Sequence, residues 1–317
     1  MTLLPHVQTL GRGPGRSRSL TQDEAAEAMA VMLSGQAAPE AIGALLMLLR
    51  MKGETAQEIA GFAQAAQQAL PELAAVDLDW PSYAAGRTRG RPWFLLSARL
   101  VAMAGYRVLL HGWNGRDDAL RAHLEAADIP SVRDPCELGD HLTRHRIAYL
   151  PLETLSPDLF VLLQLRNVLG LRSCINTVCR MLNPGRAATS VQGVFHPGYR
   201  LLQADAAALL GWSRLCVIKG GGGEFERNPG KEIAGFGLRD GAPWQGDFAP
   251  LRPETCRLNE IAPDVSLADL WSGQVRDAAA TAVVTGTAAL ALDLLGHQDA
   301  ETLAHDIWQG RRAGPAV

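Results

Sequence analysis

The chain has 317 residues, 47% of them hydrophobic, with 30 Lys and Arg against 33 Asp and Glu, a formal net charge of −3. This is enough apolar material for a sizeable core in one large domain, or in a large and a small one, and the near-neutral balance argues against nucleic-acid binding driven by whole-molecule charge. The five cysteines are scattered with no CxxC pair, which indicates neither a zinc ribbon nor a disulfide framework, and no apolar run approaches bilayer-spanning length or follows a charged start. A cytoplasmic protein with reduced thiols is expected.

Helical signals come first along the chain. Thr21 with Glu24 three residues on is a capping box, Met29, Met32 and Leu33 face a core, and Ser34-Gly35 stops the helix. Pro39 begins a second helix whose run Ile42–Leu49 is too dense for a surface element and must be buried or paired; Lys52-Gly53 ends it. Thr55 and Glu58 cap a third, with Ile59 and Phe62 inward. The period then changes. Short apolar runs at Leu95–Leu96, Arg107–Leu110, Ile147–Leu150, Val191–Val194 and Leu215–Ile218 predict strands of a mostly parallel sheet. Ser156-Pro157 opens a helix expected to run to Leu171. Only the tail from Gly310 reads as fray-prone.

The stretch IGALLMLLRMKGETAQEIAGF, then Leu110-His111-Gly112, then Arg166 to Arg172 with Asn183-Pro184, and finally the helix from Ala278, resemble in order the anthranilate phosphoribosyltransferase family. The resemblance implies an α/β fold with a separate all-α small domain, the anthranilate phosphoribosyltransferase and nucleoside phosphorylase type. It implies a helical dimerisation domain at 1–72 plus about 157–184, and a large α/β domain at 73–156 plus about 185–317.

Transfer from phosphoribosyl pyrophosphate needs amides around the diphosphate, carboxylates on magnesium and cations on the departing charge. Where the family has a glycine-rich diphosphate loop, this chain has Ser82-Tyr83-Ala84-Ala85-Gly86-Arg87-Thr88-Arg89-Gly90-Arg91-Pro92, whose side chains and proline oppose close backbone approach. His111 and Gly112 persist from the family's Lys-His-Gly-Asn-Arg loop, with Leu110 and Trp113 replacing the lysine and asparagine; a hydrogen-bonded structural role suits this histidine better than catalysis. Asp117 and Asp118 suit a helix start better than a metal. Gly223 stands for the family's magnesium-binding Asp and Glu224 for its Glu, with Glu226 as a second oxygen ligand displaced along the chain; the run Gly220–Gly223 reads as a mobile loop in preference to an anion nest. Arg166 matches the arginine facing the acceptor carboxylate, and Asn176 is also kept, but Cys179-Arg180 replaces the family's Gly-Pro.

Charge placement supplies a second functional class. From Gly86 to Ala122 there are seven arginines and two acids, and from Val161 to Arg200 five arginines and none. If the family fold brings these segments to one cleft, Arg87, Arg89, Arg91, Arg116, Arg180 and Arg186 form a phosphate-binding surface, extended by Arg12, Arg16 and Arg18, with Trp93, Trp113, Phe195 and Tyr199 as stacking platforms. The variants GRGPGRSRSLTQDEA, HGWNGRDD and GGGGEFERNPGK resemble the YbiB-like subgroup of the family. That resemblance implies a homodimer, no membrane, and DNA or RNA bound without sequence preference. The leading expectation is therefore a non-catalytic nucleic-acid binder with no cofactor. The alternative is a phosphoribosyl or pentosyl transferase with a divergent site, using Arg166 for the acceptor and Glu224 and Glu226 for magnesium.

Overall fold

A computed structural model describes residues 2–84, 90–113, 115 and 120–311. Four helices lead: α1 (Leu4–Gly11), α2 (Gln22–Leu33), α3 (Pro39–Lys52) and α4 (Ala56–Gln68). Both capping boxes form, Thr21 with Glu24 and Thr55 with Glu58. Helix α2 lies so close along α4 that a methyl group on Gly61 would come within 2.1 Å of the Gln22 carbonyl oxygen, so this crossing requires glycine. Only Leu45, Leu46 and Leu49 of the dense α3 run are buried, and Met51 is 82% exposed.

The chain then alternates strands and helices: β1 (Leu78–Ser82), α5 (Phe94–Met103), β2 (Val108–Gly112), α6 (Arg121–Ala126), α7 (Leu138–His145), β3 (Ile147–Pro151) and α8 (Leu152–Leu155). Next come α9 (Pro157–Gln164), α10 (Arg166–Leu169) and α11 (Ile175–Arg180), which lie back against the first helices, α11 on α4 and Leu169 beside Gly43 of α3. The expected helix to Leu171 is thus broken, ending at Gly170 in the left-handed conformation. The remainder is β4 (Thr189–Val194), α12 (Tyr199–Leu209), β5 (Arg214–Lys219), β6 (Ile233–Arg239), β7 (Ala242–Phe248), α13 (Leu267–Ser272), α14 (Ala278–Leu294) and α15 (Ala300–Gly310).

The sheet order is β3-β2-β1-β4-β5-β6-β7, parallel through β5 and closed by an antiparallel hairpin. Leu95 and Leu96 belong to α5, not to a strand. They read as a strand because α5 is apolar nearly all round, buried between the sheet and α14. The first strand is instead Leu78-Asp79-Trp80-Pro81-Ser82. Its proline hides it from a propensity reading, yet Pro81 lies past the end of the β1–β4 ladder, which pairs only Leu78 and Asp79, so the missing N–H is tolerated. Among the described residues, no helix is long and apolar enough to cross a membrane.

Candidate functional site

The strand order reverses between β1 and β4, and ligands of open α/β sheets bind where such a reversal opens the carboxyl ends of the strands. Beneath that edge lies a buried polar chain. The Ser190 hydroxyl donates to Asp79 Oδ2 at 2.7 Å, His111 Nε2 stands 3.1 Å from Asp79 Oδ1, and His111 Nδ1 is 2.9 Å from the Tyr83 hydroxyl. The Gln192 amide donates to Ser190 Oγ and to the Arg180 carbonyl. All of these side chains except Arg180 are essentially inaccessible, and burial pushes the Tyr83 phenol well above its ordinary range. Tyr83 therefore fills the space beside His111 as a neutral hydrogen-bonding plug.

Above the chain opens a cavity of about 450 Å³ lined by Arg50, Arg172, Asn176, Arg180, Phe195, His196, Tyr199, Gln203 and Gly222 among others, with no carboxylate among the described residues of its walls. Arg180 is 7% exposed; its Nε donates to the Gly193 carbonyl at 3.1 Å and its Nη1 to the Asn176 carbonyl at 3.2 Å and to Asn176 Oδ1. The Asn176 amide in turn donates to the Tyr83 carbonyl at 3.3 Å. Burial depresses the Arg180 and Arg172 guanidinium pKa values, and Arg172 is lowered further by Arg166 and Arg50. Like charges gathered without acids are the pattern of a site that expects an anion.

The other flank of the cleft is formed by the segment after β5. Gly221–Gly223 is a 3-10 turn with Gly222 left-handed, and a methyl on Gly220 would come within 1.7 Å of the Glu224 carbonyl oxygen. The glycine run thus packs closely at Gly220, while Gly222 is exposed at the rim. Glu224 Oε1 accepts from the Ala84 amide at 3.0 Å, and Glu226 Oε1 accepts from the Phe94 amide at 3.1 Å, the first residue of α5. Both carboxylates are buried. Glu226 is the N-terminal anion of that helix.

Residues 5–69 match the family model described as "Glycosyl transferase family, helical bundle domain". The chain is 31% identical to the anthranilate phosphoribosyltransferase of Moorella thermoacetica over 87% of its own length and 81% of the relative's. The chain belongs to the anthranilate phosphoribosyltransferase family. It is 30% identical to the enzyme of that name from Caldivirga maquilingensis, over 68% of this chain and 64% of the relative. In fold it is similar to the anthranilate phosphoribosyltransferase of Thermus thermophilus, with TM-score 0.79 at 22% identity over 97% of this chain and 94% of that one. It is also similar to the Saccharomyces cerevisiae enzyme in complex with PRPP and Mg, with TM-score 0.77 at 17% identity over 98% and 94%.

Against this family the site residues distribute unevenly. Asn176 and Arg180 reach the cavity together, and Arg166 stands near it with its guanidinium 5.7 Å from the Trp113 ring centre. His111 and Gly112 end β2 beneath it, the Gly112 carbonyl accepting from the Tyr149 hydroxyl. Arg87, Arg89 and Arg116, with Asp117 and Asp118, lie outside the described residues. Arg91 is half-buried just before α5. Arg186 does not belong to the cleft: it precedes the amino end of β4, while Arg180 bonds Gly193 near the carboxyl end, and it lines a separate cavity with Gln64, Gln67 and Trp212. Arg180 is too enclosed to join an open surface for a polymer.

Glu224 and Glu226, to which the sequence assigns magnesium, are both buried. Each is engaged by an amide, and no group of three metal-ligating side chains converges among the described residues. The count of arginines along the chain overstated the free charge, because the fold supplies acids from outside the counted windows. Arg99 pairs with Asp128, Arg107 with Asp77 and Arg121 with Glu153, while Arg18 is held bidentate by Glu24. Trp93 and Trp113 are buried, leaving Phe195, 58% exposed, and half-buried Tyr199 at the mouth. Sequence reasoning missed Arg50, His196 and Gln203. Arg50 reads as an ordinary last-turn cation of α3, and only the return of α10 and α11 brings Arg172 within its field.

Proposed function

We propose that the protein works in the phosphoribosyl-transfer class, with a cationic substrate cavity kept at the strand-order reversal and its diphosphate-binding segment divergent. The observation that carries this is the cavity at the strand-order reversal, with Arg50, Arg172, Arg180 and Asn176 in its walls and no carboxylate among its described lining residues. The activity in its relatives' names, anthranilate phosphoribosyltransferase, is the reaction to test first. On the donor side the Phe94 and Ala84 amides are already taken by Glu226 and Glu224, so binding of a sugar diphosphate there requires those carboxylates to move. Slow or conditional turnover follows. The test is loss of anthranilate fluorescence with phosphoribosyl pyrophosphate and magnesium, alongside calorimetric titration of each substrate; absence of both binding and turnover sinks the proposal.

A second reading, sequence-independent nucleic-acid binding as in the YbiB-like subgroup, is favoured by one observation. Arg50 and Arg166 both act on Arg172, which lines the same cavity as exposed Phe195, a combination suited to phosphates with a stacked base. Anisotropy of a labelled oligonucleotide across a salt series tests it, and affinity without salt dependence rejects it. The exposed apolar residues Met51 of α3 and Val168 of α10 agree with a homodimer through the helical face, which sedimentation tests directly.

A further inference from the structure

Arg180 has a feature that the family's mechanism does not account for. Its guanidinium is enclosed, yet no carboxylate stands within ion-pair distance of it among the described residues; its partners are the neutral carbonyls of Gly193 and Asn176 and the Asn176 amide oxygen. Glu224 acts on it through space but is bonded to the Ala84 amide. A buried cation whose described carboxylate neighbours all stand beyond ion-pair contact is a costly arrangement that folding alone gives no reason to keep. The guanidinium is not sealed off, since it lines the cavity. Its Nη2 would lie 3.5 Å from a methyl placed on Gly223, so the bare glycine keeps the approach to that edge open, with the Phe195 backbone on the other side.

The remaining charge lies on the same route. Arg50 and Arg172 line the cavity and Arg166 adds its field at the mouth. Behind them Gln203 of α12 is 1% exposed with its Oε1 lacking a hydrogen-bond partner, so one wall retains unused hydrogen-bonding capacity. Arg50 and Arg180 together, with no carboxylate among the described lining residues, match a group carrying nearly two negative charges better than a single carboxylate, and about 450 Å³ is room for a pentose-sized molecule.

We propose that Arg180 is an anion-recognition residue, receiving the phosphate of a small phosphomonoester at the floor of the cavity while Arg172 and Arg50 hold it from the mouth. The proposal rests on the functional reading of the same cavity and names its ligand class. It relocates the phosphate grip from main-chain amides, here covered by Glu224 and Glu226, to guanidinium side chains.

The experiment is calorimetric titration of the full chain with ribose 5-phosphate, and with benzoate as a monoanionic ring control, in the wild type, Arg180→Gln and the double variant Arg50→Gln/Arg172→Gln. The glutamine at position 180 keeps a donor for the neighbouring carbonyls and removes the charge. Ribose 5-phosphate is expected to bind the wild type at least tenfold more tightly than benzoate, and to lose tenfold or more in Arg180→Gln and threefold or more in the double variant. Unchanged affinity in a folded Arg180→Gln overturns the proposal and leaves the cavity's wider role standing. Should that variant not fold, unchanged affinity in the double variant, whose positions are peripheral, overturns it equally. Benzoate binding as tightly as the phosphate overturns the ligand class, and no binding of either probe to the wild type overturns both the proposal and the reading beneath it.

Discussion

Replacing Glu226 by alanine tests whether this chain carries its own anion at the start of α5. The Phe94 amide is buried and donates to Glu226 Oε1 at 3.1 Å, so truncation leaves a buried donor unmatched, which costs about 1–3 kcal/mol. Loss of the negative charge at the start of a ten-residue helix adds ~0.3–1 kcal/mol. The sum, about 1.3–4 kcal/mol, corresponds to a Tm lowered by about 3–8 °C at roughly 2 °C per kcal/mol for a chain of this size. Differential scanning fluorimetry measures it. The same experiment with inorganic pyrophosphate is the sharper half, because the vacated Phe94 amide should now accept an anion. At ten times its Kd a ligand adds about 1.4 kcal/mol, so pyrophosphate should raise the Tm of Glu226→Ala by ~3 °C more than it raises the wild type. Equal shifts in the two proteins would refute the idea that Glu226 occupies an anion position.

Three further outcomes are expected. Arg18 and the Thr21 amide bring the Glu24 carboxyl from 4.5 down to about 2, so the stability it contributes is fully present above pH 4.5 and is lost as pH falls through 2; the Tm gap between wild type and Glu24→Gln should be constant above pH 5 and close in that acid window, and a gap that widens on acidification contradicts the pairing. Gly193→Ala would set a methyl 2.0 Å from the Glu224 carbonyl carbon, backbone against backbone, and should destabilise by at least about 3 kcal/mol in a thermal melt followed by circular dichroism; a melt like the wild type's would show that the rim is not packed as described. Cys136 is exposed, Cys256 half-buried, and Cys174, Cys179 and Cys216 are buried with thiols pushed up by desolvation, Cys216 to about 12. Ellman's reagent should therefore titrate one thiol quickly in the native protein and all five after denaturation.

The helical opening was legible because its signals are local: Thr21 with Glu24, and Thr55 with Glu58, declare helix starts within four residues, and the structure forms both boxes. The strands at Val108–Gly112, Ile147–Pro151 and Arg214–Lys219 were legible as apolar runs. Trp80-Pro81 and Phe94–Leu96 misled for one reason. Whether a proline breaks a strand, or an apolar run is helix or strand, depends on neighbours distant in sequence, here β4 for Pro81 and α14 for α5. The site divided in the same way. Arg180 was visible as a residue type, but its enclosure was not, nor that Asp77, Asp128 and Glu153 would neutralise Arg107, Arg99 and Arg121. Pairing across the fold is invisible to a count along the chain.

Glu224 and Glu226 sit two residues apart on one short stretch, yet their oxygens hold amides in two different parts of the fold, Ala84 beyond β1 and Phe94 at the start of α5. A single backbone shift at 224–226 would loosen both contacts together. The stretch thereby acts like a staple with two legs on one crown, and hydrogen exchange at the Ala84 and Phe94 amides should respond together to a substitution that displaces it.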